Sequence, residues 1–406
     1  MSEALEQRPQ LRPVEAVPLG GEHEGHFAIH DPTGIAEAVL TVTEPALFIL
    51  SRFDGKHDLD GIMREFEARY GQPVEADTLT AMVKNLESTR LLRGSAFDTH
   101  MRTLRQEFRA RPSRPSICSE QMGDGDTARS YIVRLLDSDR RATAQNGLIA
   151  GVIAPHLDFE RGEPCYQLAY RALQGRACPD RCVILGTNHF GWSTSVVATR
   201  KAFETPLGLT EVDAAFLDAL ERRCGADLCE HELDHRREHS IELQLLCLQH
   251  VFGAESFRMV PVLCPDPCGP TGTKPIDGKG VDLRDFAAAL RDVIRESGGD
   301  TLLVAGADLS HVGRQFGDTF PLDQPFLAFI EDRDRRALAL LESSRPEEFL
   351  RALSADGNAT RVCSAGCMYV LASVLQDATP ELKGYHQAYT REAETCVTCT
   401  ALTYTR

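Results

Sequence analysis

Apolar positions follow two spacings along this chain. From residue 147 onward, short continuous runs recur: Leu148-Ile149-Ala150-Gly151-Val152-Ile153-Ala154, Cys182-Val183-Ile184-Leu185-Gly186 and Thr301-Leu302-Leu303-Val304-Ala305-Gly306-Ala307. Runs of this length, rich in β-branched residues, predict strands covered on both faces. Between them, apolar residues return every three or four positions and predict helices over 166–173, 212–224, 241–251, 286–296, 332–342, 346–353 and 370–375. A further buried strand is expected within 257–264, and the chain closes with strands that include 395–404. Strands alternating with helices predict an α/β sandwich with a central buried sheet over 147–406.

The first part of the chain is patterned differently. Residues 1–25 are polar, carry Pro9, Pro13 and Pro18, and read as a flexible tail. Residues 26–95 read as a small α+β domain, with short strands at 26–29 and 38–42 and then three helices. Thr43 is positioned to cap the first, with Glu44 and Pro45 in its opening turn, and Asp54-Gly55 stops it. Asp58 caps the second, whose Ile62, Phe66 and Tyr70 share a face before Gly71. The third spans about 76–89, with Leu79, Val83 and Leu86 inward. Two strands and three helices in this length predict a winged-helix-like unit. Residues 96–146 read as a connector broken by Pro112, Pro115, Gly123 and Gly125, with a helix around 131–136 ahead of the first strand.

Each of the three apolar runs ends in residues that carry chemistry. The first leads into Pro155-His156, the second into Thr187-Asn188-His189, the third into Asp308-Leu309-Ser310-His311. Ligands bind outside the carboxyl ends of strands in open α/β sheets. One histidine at a strand end is ordinarily a hydrogen-bonded structural residue, but three such ends together predict a metal-dependent site. The segment Asp234-His235-Arg236-Arg237-Glu238-His239-Ser240-Ile241-Glu242 adds acids and imidazoles just ahead of a helix. Taken alone it also reads as a charged helix cap; folded onto the same edge, Glu238 and His239 supply orienting or acid–base groups.

Composition narrows the partners. A chain of 406 residues with 42% hydrophobic content supports two or more domains and a full core. The net charge of −16 argues against nucleic acid and anionic membrane surfaces. There is no apolar stretch of about 18 residues and no signal-peptide core, so a cytoplasmic protein without membrane association is expected. Thirteen cysteines, an odd number in a long chain, are expected reduced. Cys264 and Cys268 with Cys396 and Cys399 are one conceivable four-thiolate zinc set. The spacing of Cys396 and Cys399 would, however, point them to opposite faces of a strand.

The ordered blocks Ala154-Pro155-His156 with Asp158-Phe159 and Arg161-Gly162, Leu185-Gly186-Thr187-Asn188-His189, Thr205-Pro206-Leu207-Gly208 with Val212-Asp213, Glu238-His239-Ser240-Ile241-Glu242, Val260-Pro261-Val262-Leu263, Asp308-Leu309-Ser310-His311 and Val362-Cys363 resemble the Memo family, whose bacterial branch is named AmmeMemoRadiSam system protein B. The resemblance implies a fold shared with class III extradiol dioxygenases, which use non-haem iron. It implies a metal triad of His156, His189 and Cys363, surrounded by Asp308, His311, Glu238 and His239 as catalytic groups. Two imidazoles and a thiolate leave positions open on iron or copper, and zinc is the alternative ion. The Cys-Gly-Arg type motif common in the family is here Cys363-Ser364-Ala365-Gly366-Cys367, which removes an arginine and leaves Cys367 as a competing thiol. The aromatic opening of the family's domain is replaced by Arg114-Pro115-Ser116-Ile117-Cys118.

Residues 26–95, through Thr43-Glu44-Pro45-Ala46-Leu47-Phe48-Ile49-Leu50, Phe53-Asp54-Gly55 and the helix ending Tyr70-Gly71, resemble the PqqD-like family of peptide-recognition modules. That resemblance implies a bound peptide as partner, and the name AmmeMemoRadiSam implies a radical-enzyme partner. The expected function is a metal-binding redox protein acting on a peptide or small molecule. A non-catalytic metal-carrying or partner-binding scaffold and a metal-dependent hydrolase are the alternatives.

Overall fold

A computed structural model describes residues 8–137 and 147–406 of the chain. It divides into two units, Met1–Ala110 and Arg111–Arg406.

In the first unit, β1 (Glu15–Pro18), β2 (His26–His30) and β3 (Leu40–Thr43) form an antiparallel sheet in that order. Helices follow at Glu44–Ser51, Leu59–Tyr70, Ala76–Ser88 and Ser95–Ala110. Asp58 caps the second by accepting from Gly61 N at 2.7 Å, and Gly71 ends it at φ 69°, a conformation glycine adopts without strain. Thr43 precedes the first helix without a side-chain cap bond. Ile29, Ile49, Leu50, Phe53, Ile62, Leu79, Val83 and Leu86 close one apolar core.

Two boundaries differ from the sequence expectation. Residues 8–18 are not a loose tail. Leu11 N donates to Phe53 O at 2.6 Å, Arg12 N to Leu91 O at 2.8 Å, and β1 lies along β2. The buried Arg12 guanidinium pairs with Asp31 at 2.9 Å, a partner that local spacing does not reveal. The expected connector 96–146 is also structured where it is described. Its first part is the Ser95–Ala110 helix, which buries Phe97, Met101 and Phe108. Residues 111–137 belong to the second unit, through β4 (Ser113–Arg114) and helices Ser119–Met122 and Gly125–Asp137. The remainder of the connector lies outside the described residues.

The second unit is built on an eight-stranded mixed sheet. Its strands are β5 (Ile149–Ala154), β6 (Arg181–Thr187), β7 (Val197–Ala198), β10 (Arg258–Cys264), β11 (Thr301–Gly306), β12 (Asp308–Gly313), β13 (Thr379–Thr390) and β14 (Thr395–Thr405); β8 (Ala202–Thr205) and β9 (Gly208–Thr210) form a small sheet with β4. The order is β12-β14-β5-β11-β6-β10-β7, with β13 also on β14. The four central strands β5, β11, β6 and β10 are parallel, and the flanking pairs are antiparallel. The chain runs from β5 to β6, out to β10, and back to insert β11 between β5 and β6. Parallel pairing puts the carboxyl ends of the apolar runs on one edge, and the reversal in strand order falls among them. Helices Phe159–Arg171 and Ser240–Phe252 pack together and against β5, β6 and β11. Helices Leu283–Ser297 and Ala365–Val374 pack together, and the latter lies against β11, β6 and β10.

The predicted helices within 147–406 are all found, several extended by a turn or more, as at Phe159–Arg171 and Gln324–Glu342. Cys396 is buried with Val312 and Ile330 while Cys399 lies in the main core, so the two do face opposite ways. Among the described residues, no helix is long and apolar enough to cross a membrane.

Candidate metal centre

The edge formed by β5, β6 and β11 gathers the side chains singled out in the sequence. Ala307 N donates to Ala154 O at 2.7 Å, and His156 N to Asp308 Oδ1 at 3.0 Å, which ties the end of β5 to the end of β11. Close approach of the Ser240–Phe252 helix completes the site. A Cβ at Gly186 would stand 2.5 Å from Ser240 Oγ, and one at Gly306 would stand 2.6 Å from Ser240 O. Glycine at both strand ends lets that helix, and the Glu238-His239 corner ahead of it, reach the edge.

Each imidazole is oriented by its Nδ1. His156 Nδ1 lies 3.0 Å from Gly306 O. His189 Nδ1 lies 3.1 Å from both Glu238 carboxylate oxygens, and His189 N donates to Glu238 Oε2 at 3.0 Å. His239 Nδ1 lies 3.4 Å from Glu238 Oε1. Anchoring Nδ1 leaves Nε2 to ligate, the usual arrangement around a metal. Cys363 Sγ stands 3.5 Å from His156 Nε2. A tetrahedral ion with nitrogen at about 2.0–2.1 Å and sulfur at about 2.3 Å holds the two donors about 3.5 Å apart. The donor set therefore fits a bound metal. The ligating atoms of His156, His189 and His239 also lie within 4.8 Å of one another.

Ser364, fully buried, links these parts. Its hydroxyl accepts from Asp308 N at 3.1 Å and lies 3.0 Å from Thr187 Oγ1, 3.3 Å from Cys363 Sγ and 3.4 Å from His156 Nδ1. The charge states follow from this packing. Burial works against the Cys363 thiolate, but His156 and His189 outweigh it and bring the thiol down to about 6. Burial also opposes a charge on His189, yet Glu238 and Cys363 raise its pKa well above the ordinary value. Burial moves Asp308 up to about 6, His239 down to about 4, and His311 downward. Glu238 is held below the usual carboxylate range: burial raises it, and His189, His239 and Ser240 N prevail.

One part of the site comes from a segment that sequence pattern assigns to the connector. Arg114, wholly buried, donates to His235 O at 2.8 Å and to Glu238 O at 2.6 Å, and pairs with Glu242. Glu242 also accepts from Ser116 Oγ at 2.6 Å and from Ile117 N and Cys118 N at 3.1 Å. This clamp fixes the corner that carries Glu238 and His239. Its signal in the sequence is an arginine ahead of Pro115, too common to single out.

The structure brings together His156, His189, His239, Glu238, Cys363 and Asp308, with Asp308 Oδ2 3.5 Å from His156 Nε2. His311 lies on β12, beyond Asp308, with Nδ1 3.0 Å from Leu309 O. The competing thiol, Cys367, is directed elsewhere: it is buried 3.7 Å from Thr187 Oγ1, and burial raises its pKa well above the ordinary thiol value. The four-thiolate set is not assembled, since Cys396 and Cys399 sit in separate clusters.

Residues 128–404 match the family described as Memo-like protein. A MEMO1 family protein of Aquifex aeolicus is 24% identical over 371 residues, 91% of each chain, so that similarity reaches into the first unit. One of Thermus thermophilus is 30% identical over 306 residues, 75% of this chain and 86% of the relative. One of Methanopyrus kandleri is 37% identical over 164 residues, 40% of this chain and 53% of the relative. Among solved structures, an uncharacterized protein of Escherichia coli K12 superposes with a TM-score of 0.37 at 13% identity, covering 63% of this chain and 99% of that one. With its family match spanning the whole mixed sheet and the edge that carries His156, His189 and Cys363, this chain belongs to the Memo family.

Proposed function

We propose that this chain holds a redox-active metal, iron in the first place, on His156, His189 and Cys363, and oxidises a small molecule or peptide with dioxygenase-like architecture. The observation that carries this reading is the 3.5 Å approach of Cys363 Sγ to His156 Nε2, beside two imidazoles whose Nδ1 atoms are engaged elsewhere. Bound there, iron would supply one-electron redox chemistry and Lewis acidity.

The chain's own residues supply the proton chemistry. Asp308, near 6, exchanges a proton around neutral pH. His311 keeps Nδ1 on Leu309 O, and burial favours its neutral ring, so Nε2 is the atom that takes up a proton. Glu238 orients His189 and balances its charge. The His189 side chain is 23% exposed against 3% for His156, so substrate enters from the His189 side. In the first unit, the aromatic group of Phe48, Phe66 and Tyr70, flanked by Arg52 and Arg69, supports a role in engaging a peptide.

The test is elemental analysis of the anaerobically purified protein and of a Cys363→Ser variant, followed by dioxygen uptake. Near-stoichiometric iron that consumes dioxygen, with uptake lost in the variant, is expected. A protein that retains metal without consuming dioxygen would favour the carrier or scaffold reading, and zinc alone would favour the hydrolase reading.

A further inference from the structure

We propose that His239 is itself a metal ligand, so that three imidazoles hold the ion and Cys363 completes a four-donor set; this deepens the proposed metal centre and rests on it. Sequence pattern gives His239 an orienting or acid–base role, and the family resemblance implies two imidazoles and a thiolate as the ligands.

The argument starts at Glu238. Its carboxylate is 1% exposed and faces Nδ1 of two imidazoles, His189 at 3.1 Å and His239 at 3.4 Å. One carboxylate thereby turns both rings the same way, each Nδ1 toward Glu238 and each Nε2 away from it. His156, held through Nδ1 by Gly306 O, presents Nε2 from the third side. The ligating atoms of the three lie within 4.8 Å of one another.

The ring positions give a second, independent measure. The centroids are 4.9 Å apart for His156 and His189, 5.2 Å for His189 and His239, and 5.6 Å for His156 and His239. A tetrahedral ion bonded to three imidazoles at about 2.0–2.1 Å holds their centroids about 5.2 Å apart. The observed triangle brackets that value on all three sides. An imidazole present only to shuttle protons has no reason to complete it. The carboxylate on its Nδ1 is also the partner that metal-bound histidines ordinarily have.

The consequence is a donor set of three nitrogens and one sulfur. It predicts that Cys363 tunes the ion rather than deciding whether it is held.

The test uses the full chain and cobalt(II) as probe, with affinity read by competition against a chelator and coordination read from the visible spectrum. His239→Ala and His239→Gln are each checked for folding by circular dichroism. The second keeps a polar side chain beside Glu238 but has no imidazole nitrogen to ligate. Both are expected to bind cobalt more than about 100-fold more weakly, beyond the about 10–100-fold that loss of an outer-shell partner costs. Their weakened d–d bands should accompany a retained thiolate charge-transfer band. Cys363→Ser is expected to lose that band and keep stoichiometric cobalt. Wild-type affinity and an unchanged spectrum in folded His239→Gln would overturn the proposal. So would complete loss of cobalt from folded Cys363→Ser with His239 intact. Failure of the wild-type chain to bind cobalt at all would overturn the metal centre itself, an outcome separate from these.

Discussion

Glu238 and Glu242 stand either side of one helix start, and both are buried, at 1% and 0% exposure. They do opposite things. Glu242 is closed: Arg114, Ser116 Oγ, Ile117 N and Cys118 N occupy its oxygens, and all of these partners belong to the scaffold. Glu238 is a relay, because two of its partners are imidazoles that cluster with that of His156. Burial of a carboxylate is therefore not what marks a functional site. The mark is that its partners have a second side still free to act.

This contrast can be broken most forcefully at Arg114. Arg114→Met leaves Glu242 buried without its cation, and a loss of about 3–5 kcal/mol is expected in denaturant unfolding. A loss below about 1 kcal/mol would mean that Glu242 is not a closed structural pair with Arg114. At the relay, Glu238→Gln should instead lower metal affinity by about 10–100-fold while costing less stability than Arg114→Met. Calorimetric titration alongside thermal unfolding separates the two effects, and the reverse ordering would exchange the roles of the two acids. A carboxylate in simple helix capping sets the lower scale. Asp58→Ala in the first unit should cost about 1 kcal/mol, and metal binding should be unaffected.

The smallest effect concerns Asp334, buried and bonded by Ser310, Thr398 and Tyr385 hydroxyls, with the Arg333 charge acting on it from nearby. Burial raises its pKa in spite of those bonds. A carboxyl raised in the folded state favours folding while protonated. Its contribution is full below the ordinary carboxylate value and is lost as pH rises through the folded value. The wild-type protein should thus lose stability relative to Asp334→Asn as pH rises from about 4. Parallel stability-against-pH curves for the two proteins would show that this carboxyl does not titrate in the folded state.

Legibility in the sequence followed the range of the interactions. The strands ending in His156, His189 and Asp308 were readable, because burial on both faces demands unbroken apolar runs and parallel pairing sends their carboxyl ends to one edge. The helices were readable from their three-to-four spacing. Segment 111–118 was not, because its worth lies in bonds from Arg114 to carbonyls more than a hundred residues away. Residues 8–18 were missed for the same reason, their partners being Asp31, Phe53 and Leu91. Ser364 could be read only as a neighbour of Cys363, although its hydroxyl meets four groups from three other parts of the chain and its own neighbour.

Sequence pattern was thus enough for the central strands and the helices of 147–406, for an α/β core, and for the imidazole and carboxyl groups that stand at strand ends. Those properties depend on apolar periodicity and on residue chemistry, which are local. Only the folded structure reveals that Cys363 rather than Cys367 faces His156, that Glu238 meets two imidazoles at once, and that His239 lies beside His156 and His189. Each is a matter of ångströms between groups distant in the chain: close packing of the Ser240–Phe252 helix over Gly186 and Gly306 places Glu238 and His239, and the start of the Ala365–Val374 helix, where Gly366 lies against Pro265, places Cys363.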